Sequence, residues 1–280
     1  MEQRDPNVTP RYYLRVDLFP RLLHGLLMGS FLGLAATGLP LKFSWAPRAG
    51  DLARAMGGFG TILFFHKAFA ILLTLCFLLH LGYVLHLAFV RRESSVFWGP
   101  NSMLPQPKDV LDMFRHFQWF FGMGPKPRFD RLTYWEKFDY WAVFWGMAII
   151  GTSGYMMWFS SFFGRFIPGW LFNIALVIHS EEALLAVWFI FAIHFFNSHL
   201  RPEKFPMDLV IFTGRVSEHE LRTERPEEYA RLVRGGRLQA IETDPPPLWL
   251  RNFGRIIGYS AITTGFVLFG LTLLALAGRR

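Results

Sequence analysis

The chain has 280 residues, of which 52% are hydrophobic and only 18% are charged, whereas soluble domains carry charge on about a quarter of their residues. The net charge of +8 comes without an arginine-rich tract interleaved with aromatic residues, so it indicates membrane topology and contact with anionic lipid rather than nucleic-acid binding. The single cysteine, Cys76, excludes both an intrachain disulfide and a Cys-x-x-Cys motif.

Five apolar stretches follow one another along the chain, and each is long enough to cross a bilayer, for which a helix needs about 20 residues. They are Leu22–Leu41, Thr61–Val90, Tyr140–Phe159, Gly169–Ser198 and Ile256–Ala277. Because lipid offers backbone groups no hydrogen-bond partner, stretches of this length must be helical. We therefore predict an all-α integral membrane protein.

Basic residues are concentrated in alternate connections. Four precede the first span (Arg4, Arg11, Arg15 and Arg21), eight lie between Arg91 and Lys137, and nine lie between Arg201 and Arg251. The other connections and the C-terminal end carry few, with Arg279 and Arg280 among them. By the positive-inside rule the N-terminus is cytoplasmic and the C-terminus lies outside.

The two long cytoplasmic connections, 91–139 and 199–255, are predicted to form small caps with helices of their own. Asp109 is expected to cap a helix in the membrane interface. The apolar face of that helix carries Val110, Phe114, Phe117, Phe120 and Phe121. Ser217 followed by Glu220 predicts a capping box that opens a polar helix.

The first four spans form a weak internal repeat. Span one ends in TGLPLKF and span three in SGYMMWF. His66 and His86 on span two have the same separation as His179 and His199 on span four, and His80 and His194 lie between them with an offset of one residue. Two helix pairs and a fifth helix are thus predicted, with a four-helix bundle in which spans two and four present similar inward faces.

The histidines fall at two depths when a rise of about 1.5 Å per residue is applied to the spans. The outer layer holds His66 and His179, and the inner layer holds His24, His80 and His194, with His86 and His199 at the inner edge. The two layers are roughly 21 Å apart. Haem iron takes axial imidazoles from opposing helices, and two haems stacked across a bilayer need two such layers. The pattern therefore indicates b-type haem ligation.

Other interpretations of single residues stay open. A lone histidine on a membrane helix more often makes a helix–helix hydrogen bond, and proton relays also use intramembrane histidine and glutamate. Small residues on spans one and three leave room for a flat macrocycle or for close helix packing: Gly29, Gly33, Gly38, Gly146, Gly151 and Gly154. Glu181 and Glu182 could belong to a proton path or to a partner contact. We favour the partner contact, because span four is longer than the bilayer requires and could project beyond the lipid.

Three segments carry a family resemblance that covers residues 20–210 or so. RLLHGLLMGSFLGLAATGLPLKF resembles the first helix of the bacterial di-haem cytochrome b subunits of membrane-bound formate dehydrogenases, nickel–iron hydrogenases and thiosulfate reductases. YWEKFDYWAVFWGMAIIGTSGYMMWF is similar to their third helix. HSEEALLAVWFIFAIHFFNSHLRPEKFPMD is similar to the fourth helix of relatives linked to multihaem c-type cytochromes.

The resemblance implies that His66 and His179 hold an outer haem and that His24 and His194 hold an inner one. Gly25 stands where the family usually has tryptophan, and the two span-four histidines are one residue further apart than we expect. His80 is an additional histidine. It opens a second arrangement, similar to the cytochrome bc complexes, in which His80 opposes His194, and it could also support a third haem with His24.

The function that the resemblance implies is electron transfer in the bacterial inner membrane, between the quinone pool and a periplasmic iron–sulfur subunit or multihaem c-type cytochrome. The chain would be an electron-transfer subunit of a quinone-linked oxidoreductase complex of the respiratory chain, since it has no P-loop, dinucleotide fingerprint or nucleophile elbow of its own. Quinone is expected near the inner haem, with His86, His199, Asp139 and Tyr140 as candidates for its proton exchange. The predicted organisation is a cytochrome b four-helix domain at 1–210, a cytoplasmic polar segment at 211–253 and a fifth transmembrane helix at 254–280.

Two other classes of protein compete with this one. A proton-coupled transporter would use the histidines with Glu181 and Glu182 as relays, and a passive membrane anchor would use neither. Transporters usually show broken helices and inverted repeats, whereas both repeat units of this chain start on the inner side. The visible absorbance of b-type haem distinguishes the cytochrome from both alternatives.

Overall fold

The computed structural model describes residues 10–278 and is predominantly helical. Arg4, Arg279 and Arg280, which contributed to the charge pattern, lie outside the described residues. Within the described range, four helices are long and apolar enough to cross a membrane: Leu18–Lys42, Phe59–Val90, Trp170–Leu200 and Leu248–Ala277. They coincide with the first, second, fourth and fifth predicted spans, so the chain fits a multi-pass helical membrane protein.

The helices and strands are numbered in chain order. The helices are α1 (Leu18–Lys42), α2 (Pro47–Ala55), α3 (Phe59–Leu85), α4 (Pro107–Phe120), α5 (Tyr134–Gly146), α6 (Thr152–Trp158), α7 (Ser160–Phe163), α8 (Trp170–Trp188), α9 (Val210–Thr213), α10 (Glu218–Glu224), α11 (Pro226–Arg234) and α12 (Leu248–Ala277). The strands are β1 (Tyr12–Leu14), β2 (Arg215–Ser217) and β3 (Glu242–Thr243). Short 3₁₀ turns lie at Ser94–Val96 and Gln239–Ile241, and π-helical turns at His86–Val90, Met147–Gly151, Phe189–His194 and Phe196–Leu200.

The third predicted span is helical, but it is not among the four most apolar helices. It forms α5, a π turn and α6 in direct succession, from Tyr134 to Trp158. Its aromatic and charged residues make its composition more polar than that of the other spans. The π turn and α6 pack along α8, so this segment belongs to the helical bundle of the apolar helices.

One compact unit, the ion-pair unit, consists of residues 10–21, 82–140 and 209–254. Its small sheet has β1 in the centre, antiparallel to β2 and β3, with Tyr13 opposite Val216 and Glu242. These strands were not predicted from the sequence. Tyr13 and Val216 pack with Leu221 and Leu232 in a buried apolar cluster, because alternate residues of a strand point to the same face.

Charged side chains also hold the segments of the ion-pair unit together. Glu228 is only 2% exposed and accepts hydrogen bonds from both Arg15 and Arg131. The two arginines also donate to each other's backbone carbonyls, at 2.6 and 2.8 Å. Arg225 pairs with Glu136 at 2.7 Å, which connects α5 to the start of α11. Segments far apart in the chain are thus joined by buried charge.

Two of the predicted helix starts can be compared directly with the structure. Ser217 caps α10 as predicted, since its hydroxyl accepts from the backbone N–H of Glu220. The cap of α4 is Gln106 and not Asp109, which lies inside the first turn and binds the backbone N–H of Gln106 at 2.7 Å. The prediction for Asp109 was wrong by one turn, because Pro107 starts the helix earlier. The predicted apolar face of α4 is exposed along its length.

The other compact unit, the histidine unit, consists of residues 22–81, 141–208 and 255–278. Its apolar cluster is built from α1, α12 and α8 with the π turn that follows it, and Leu39, Phe191 and Ile262 are representative members. The two units cut across the predicted sequential division at 210 and 254. Each unit draws on three separate stretches of the chain.

Candidate functional site

Two histidines from different helices face each other in the histidine unit. His66 lies on α3 and His179 on α8, and their ring centroids are 6.2 Å apart with the ring planes at 78°. Both residues are half-buried. These are the two histidines of the predicted outer layer, and the structure brings them together.

The Nδ1 atom of His66 is held by α1. It lies 3.0 Å from Oγ1 of Thr37, and the same ring hydrogen-bonds the backbone carbonyl of Leu34. The Thr37 hydroxyl has one proton and donates it to the carbonyl of Gly33 at 2.7 Å, so towards His66 it acts as an acceptor. Nδ1 of His66 is therefore the protonated nitrogen, and Nε2 carries the lone pair.

The Nδ1 atom of His179 is held in the same way by the helix Tyr134–Trp158. It lies 2.9 Å from the carbonyl oxygen of Ile150, and a carbonyl can only accept. Oγ of Ser153 is 3.4 Å from the same nitrogen and donates its own proton to the carbonyl of Ile149 at 2.6 Å. His179 thus has the same tautomer as His66, with the lone pair on Nε2.

Gly38 and Gly154 allow the two rings to lie close to the helices that hold them. A Cβ atom at Gly38 would come within 3.1 Å of Cε1 of His66, and one at Gly154 within 2.9 Å of Cε1 of His179. Each glycine directly follows the hydroxyl residue that contacts the same ring. The Thr-Gly and Ser-Gly pairs at the ends of spans one and three, seen in the sequence as a repeat, therefore play the same part at two histidines.

The geometry fits two axial ligands of one metal ion. Imidazole–metal bonds of about 2.0 Å, with each nitrogen about 1.2 Å from its ring centre, place the centroids of two opposed ligands about 6.4 Å apart. The observed separation of the centroids is 6.2 Å. Metal-bound histidines usually donate their second ring N–H to a carbonyl or similar acceptor, as both rings do in this chain. The residues present therefore fit a bis-imidazole haem.

A haem is a better match to this donor set than a bare metal ion. Within residues 10–278, no group of three or more His, Cys, Asp or Glu side chains could hold a metal ion. A haem needs only two ligands from the chain, because the porphyrin supplies the equatorial ones. The pair of His66 and His179 meets that requirement.

His24, His194 and His199 form a second group in the same unit. His24 lies within electrostatic range of both His194 and His199. His194 and His199 lie in the π turns after α8, and such turns occur frequently at functional sites. In the described part of the chain, Nδ1 of His199 is buried without a hydrogen-bond partner. His199 therefore has a polar atom to offer to a ligand.

The other predicted site residues lie on α3, on α5 and in the π turn after α3. His80 is half-buried on α3, with its ring centroid 6.2 Å from that of Phe144. His86 is exposed in the π turn that follows α3. Asp139 and Tyr140 are half-buried on α5, and each has interaction partners.

The acidic pair next to His179 is bound by neighbouring helices. Glu181 forms an ion pair with Nζ of Lys42 at 2.7 Å, which links the end of α1 to α8. Glu182 accepts a hydrogen bond from Nε1 of Trp145 at 3.4 Å. Glu181 is still 62% exposed at its side chain, so one of the two carboxylates lies on the surface of the unit.

Four groups that orient the outer histidines were not identified from the sequence: the hydroxyls of Thr37 and Ser153 and the carbonyls of Leu34 and Ile150. The repeat of a hydroxyl residue and a glycine was visible. The register between antiparallel helices, which places each repeat beside one histidine, requires the folded structure.

No family model and no curated protein matches the chain. The function is therefore inferred from the histidine geometry and from the sequence resemblance.

Proposed function

We propose that the protein is a membrane b-type cytochrome that transfers electrons through stacked haems between the quinone pool and a periplasmic redox partner. The observation that carries this proposal is the close approach of the His66 and His179 rings, each of which is held at Nδ1 by a neighbouring helix. Two unsatisfied imidazole lone pairs between apolar helices would be costly. A shared iron removes that cost.

The proposed membrane domain is a bundle of α1, α3, residues 140–158 and α8, with α12 as a fifth crossing. The packing of α6 on α8 supports a crossing by residues 140–158, as does the hydrogen bond from Nδ1 of His179 to the carbonyl oxygen of Ile150. An odd number of crossings puts the N-terminus and the C-terminus on opposite sides of the membrane, and the distribution of basic residues puts the N-terminus in the cytoplasm. The inner membrane of a bacterium is the proposed location.

The inner haem is proposed to bind His24 and His194, which lie within electrostatic range of each other. His80 is the alternative partner of His194, or a ligand of a third haem with His24. Three haems per chain would identify the third-haem arrangement, and the loss of a haem in His24→Ala or in His80→Ala separates the two arrangements that hold two haems.

A bound haem supplies one-electron redox chemistry, and the chain supplies everything around it. Thr37 and the carbonyls of Leu34 and Ile150 keep the axial nitrogens unprotonated and fix the ring planes. Because these contacts hold the two histidine rings in both oxidation states of the haem, the rings need little rearrangement during electron transfer. The outer site would exchange electrons with an iron–sulfur subunit or a multihaem c-type cytochrome.

Quinone reduction consumes protons as well as electrons, so the inner site also needs a group that exchanges protons. His199 is the best-supported candidate, because its Nδ1 is buried and lacks a hydrogen-bond partner within the described residues. Asp208 lies within electrostatic range of His199 and pairs with Lys204 at 2.8 Å. His86, Asp139 and Tyr140 are the other candidates.

The test is the haem content of the full chain, purified from haem-replete cells and measured by visible spectrum and pyridine haemochrome assay. We expect the sharp α band of reduced haem b and two haems per chain, with a third only if His80 and His24 hold one together. His66→Ala and His179→Ala should each remove one equivalent, since each leaves an iron with a single axial ligand.

His219→Ala is the matched control, because His219 is exposed on α10 and should leave the haem content unchanged. A folded but colourless wild-type protein would instead favour a transporter or a passive anchor. Full haem content in both His66→Ala and His179→Ala would show that the outer site is assigned to the wrong residues.

A further inference from the structure

We infer that Thr37 is a positioning residue for the outer haem, which acts through His66 and sets the reduction potential of that haem. The inference rests on the proposed function, because it requires iron on Nε2 of His66. It goes beyond that function in assigning a redox role to a side chain that does not itself contact the metal.

The hydrogen bonds of the Thr37 hydroxyl define its direction. Thr37 is 2% exposed, and its Oγ1 donates to the carbonyl of Gly33 at 2.7 Å. The hydroxyl proton is therefore committed, and an oxygen lone pair is presented to Nδ1 of His66 at 3.0 Å. Thr37 is thus placed to accept a hydrogen bond from Nδ1–H of His66.

A hydrogen-bond acceptor at Nδ1 affects a metal-bound imidazole. A hydrogen bond accepted from Nδ1–H raises the basicity of Nε2, and a more basic ligand stabilises the ferric state over the ferrous state. The reduction potential is then lower than it would be without the acceptor. The Leu34 carbonyl also interacts with His66, so we expect Thr37 to supply part of this effect.

The two axial ligands differ in how each is held at Nδ1. His179 donates mainly to the backbone carbonyl of Ile150 at 2.9 Å, whereas the hydroxyl of Ser153 is further away, at 3.4 Å. Removal of the Ser153 hydroxyl leaves the main acceptor of His179 in place. Ser153 therefore serves as a comparison for Thr37, because the Thr37 hydroxyl is a close acceptor for its histidine and the Ser153 hydroxyl is not.

The experiment is a redox titration of the purified holoprotein, followed at the α band, for wild type, Thr37→Val, Thr37→Ser and Ser153→Ala. Valine has nearly the shape of threonine but no hydroxyl. We expect Thr37→Val to raise the potential of one haem component, so that the ratio of oxidised to reduced haem at a fixed potential falls threefold or more, about 28 mV for a one-electron couple. The other component should stay unchanged and serves as an internal reference.

Thr37→Ser keeps an acceptor, so the reduction potential of the outer haem should stay at the wild-type value. Ser153→Ala should also leave the reduction potential close to that of wild type. The low-spin ferric EPR signal of the shifted haem should change in Thr37→Val alone. Unchanged potentials and an unchanged EPR signal in Thr37→Val with full haem content would overturn the inference and leave the proposed function standing. Absence of haem from the wild type would overturn the proposed function itself.

Discussion

Tyr13 and His66 lie in different units of the chain, and the side chains around them follow different rules. Tyr13 is surrounded by aliphatic residues, and the ion-pair unit to which it belongs is tied together by arginines that bind buried carboxylates, as at Glu228. His66 is held by one hydroxyl and one backbone carbonyl, against a glycine. At Glu228 charge is neutralised by charge, whereas at His66 a polar ring is satisfied by a hydroxyl and a backbone carbonyl of a neighbouring helix.

The difference follows from the surroundings that each unit is built for. A buried ion pair needs strong compensating contacts, which long arginine side chains and carboxylates provide. Between membrane helices, hydroxyl and carbonyl groups satisfy a polar ring without placing a charge in lipid. The ion-pair unit should therefore respond to the loss of charge, and the histidine unit should respond to changes of shape.

The largest expected effect is the loss of Glu228. Glu228→Ala leaves Arg15 and Arg131 without their shared carboxylate, and breaking a buried pair typically costs about 3–5 kcal/mol. We expect the ion-pair unit to become sensitive to proteolysis at a lower temperature, while the haem spectrum at room temperature stays that of wild type. Limited proteolysis during a thermal ramp, followed by mass spectrometry, measures this.

Glu227→Ala is the control for that experiment. Glu227 is the neighbouring residue and pairs with Arg128 at 2.9 Å, but its partner is 63% exposed, and exposed pairs contribute about 0–1 kcal/mol. Equal proteolysis of the two variants would show that the buried charge of Glu228 does not stabilise the unit as described.

The same contrast explains how much of the molecule could be predicted from the sequence. Hydropathy located the apolar helices, and histidine spacing at a fixed helical rise brought His66 and His179 to one depth, because both depend on local periodicity. The strand Tyr12–Leu14 could not be found in this way, since it is three residues long and pairs with β2 and β3, more than 200 residues away. Likewise, the contact of Thr37 with His66 depends on the register between helices, which no local pattern encodes.

A smaller effect is expected from an added methyl group beside a histidine. At Gly154 a Cβ would lie 2.9 Å from Cε1 of His179, so Gly154→Ala must displace the ring, and overpacking of this kind costs about 1–3 kcal/mol. We expect a lower haem occupancy at the outer site and a lower thermal midpoint of the haem absorbance. Gly38→Ala should have a milder effect, since its Cβ would be 3.1 Å from the ring of His66.

Gly270→Ala on α12 is the matched control, because a Cβ there meets nothing within 4 Å and alanine favours a helix. If Gly154→Ala and Gly270→Ala bind haem equally well, the close approach of Gly154 to His179 is not needed for the site. The pair of variants thus separates the shape requirement of the histidine unit from a general effect of alanine in helices.

The smallest expected effect is a dependence on pH that is confined to the ion-pair unit. Burial alone would raise the pKa of the Glu136 carboxyl, but Arg225 and Arg15, with hydrogen bonds from Thr133, hold this pKa below its usual value. The folded chain thus keeps the carboxylate charged to a lower pH than the unfolded chain does. Its contribution to stability is complete above a pH of about 4.3 and is lost as the pH falls through the lowered pKa.

Amide hydrogen exchange in α5 and α11 as the pH falls from neutral measures this loss, after correction for the intrinsic dependence of exchange on pH. Glu136→Gln is the control, since a neutral amide has no proton to gain in that range and should flatten the response of these two helices alone. Superimposable curves for wild type and Glu136→Gln would mean that the acid response of this unit does not arise from Glu136.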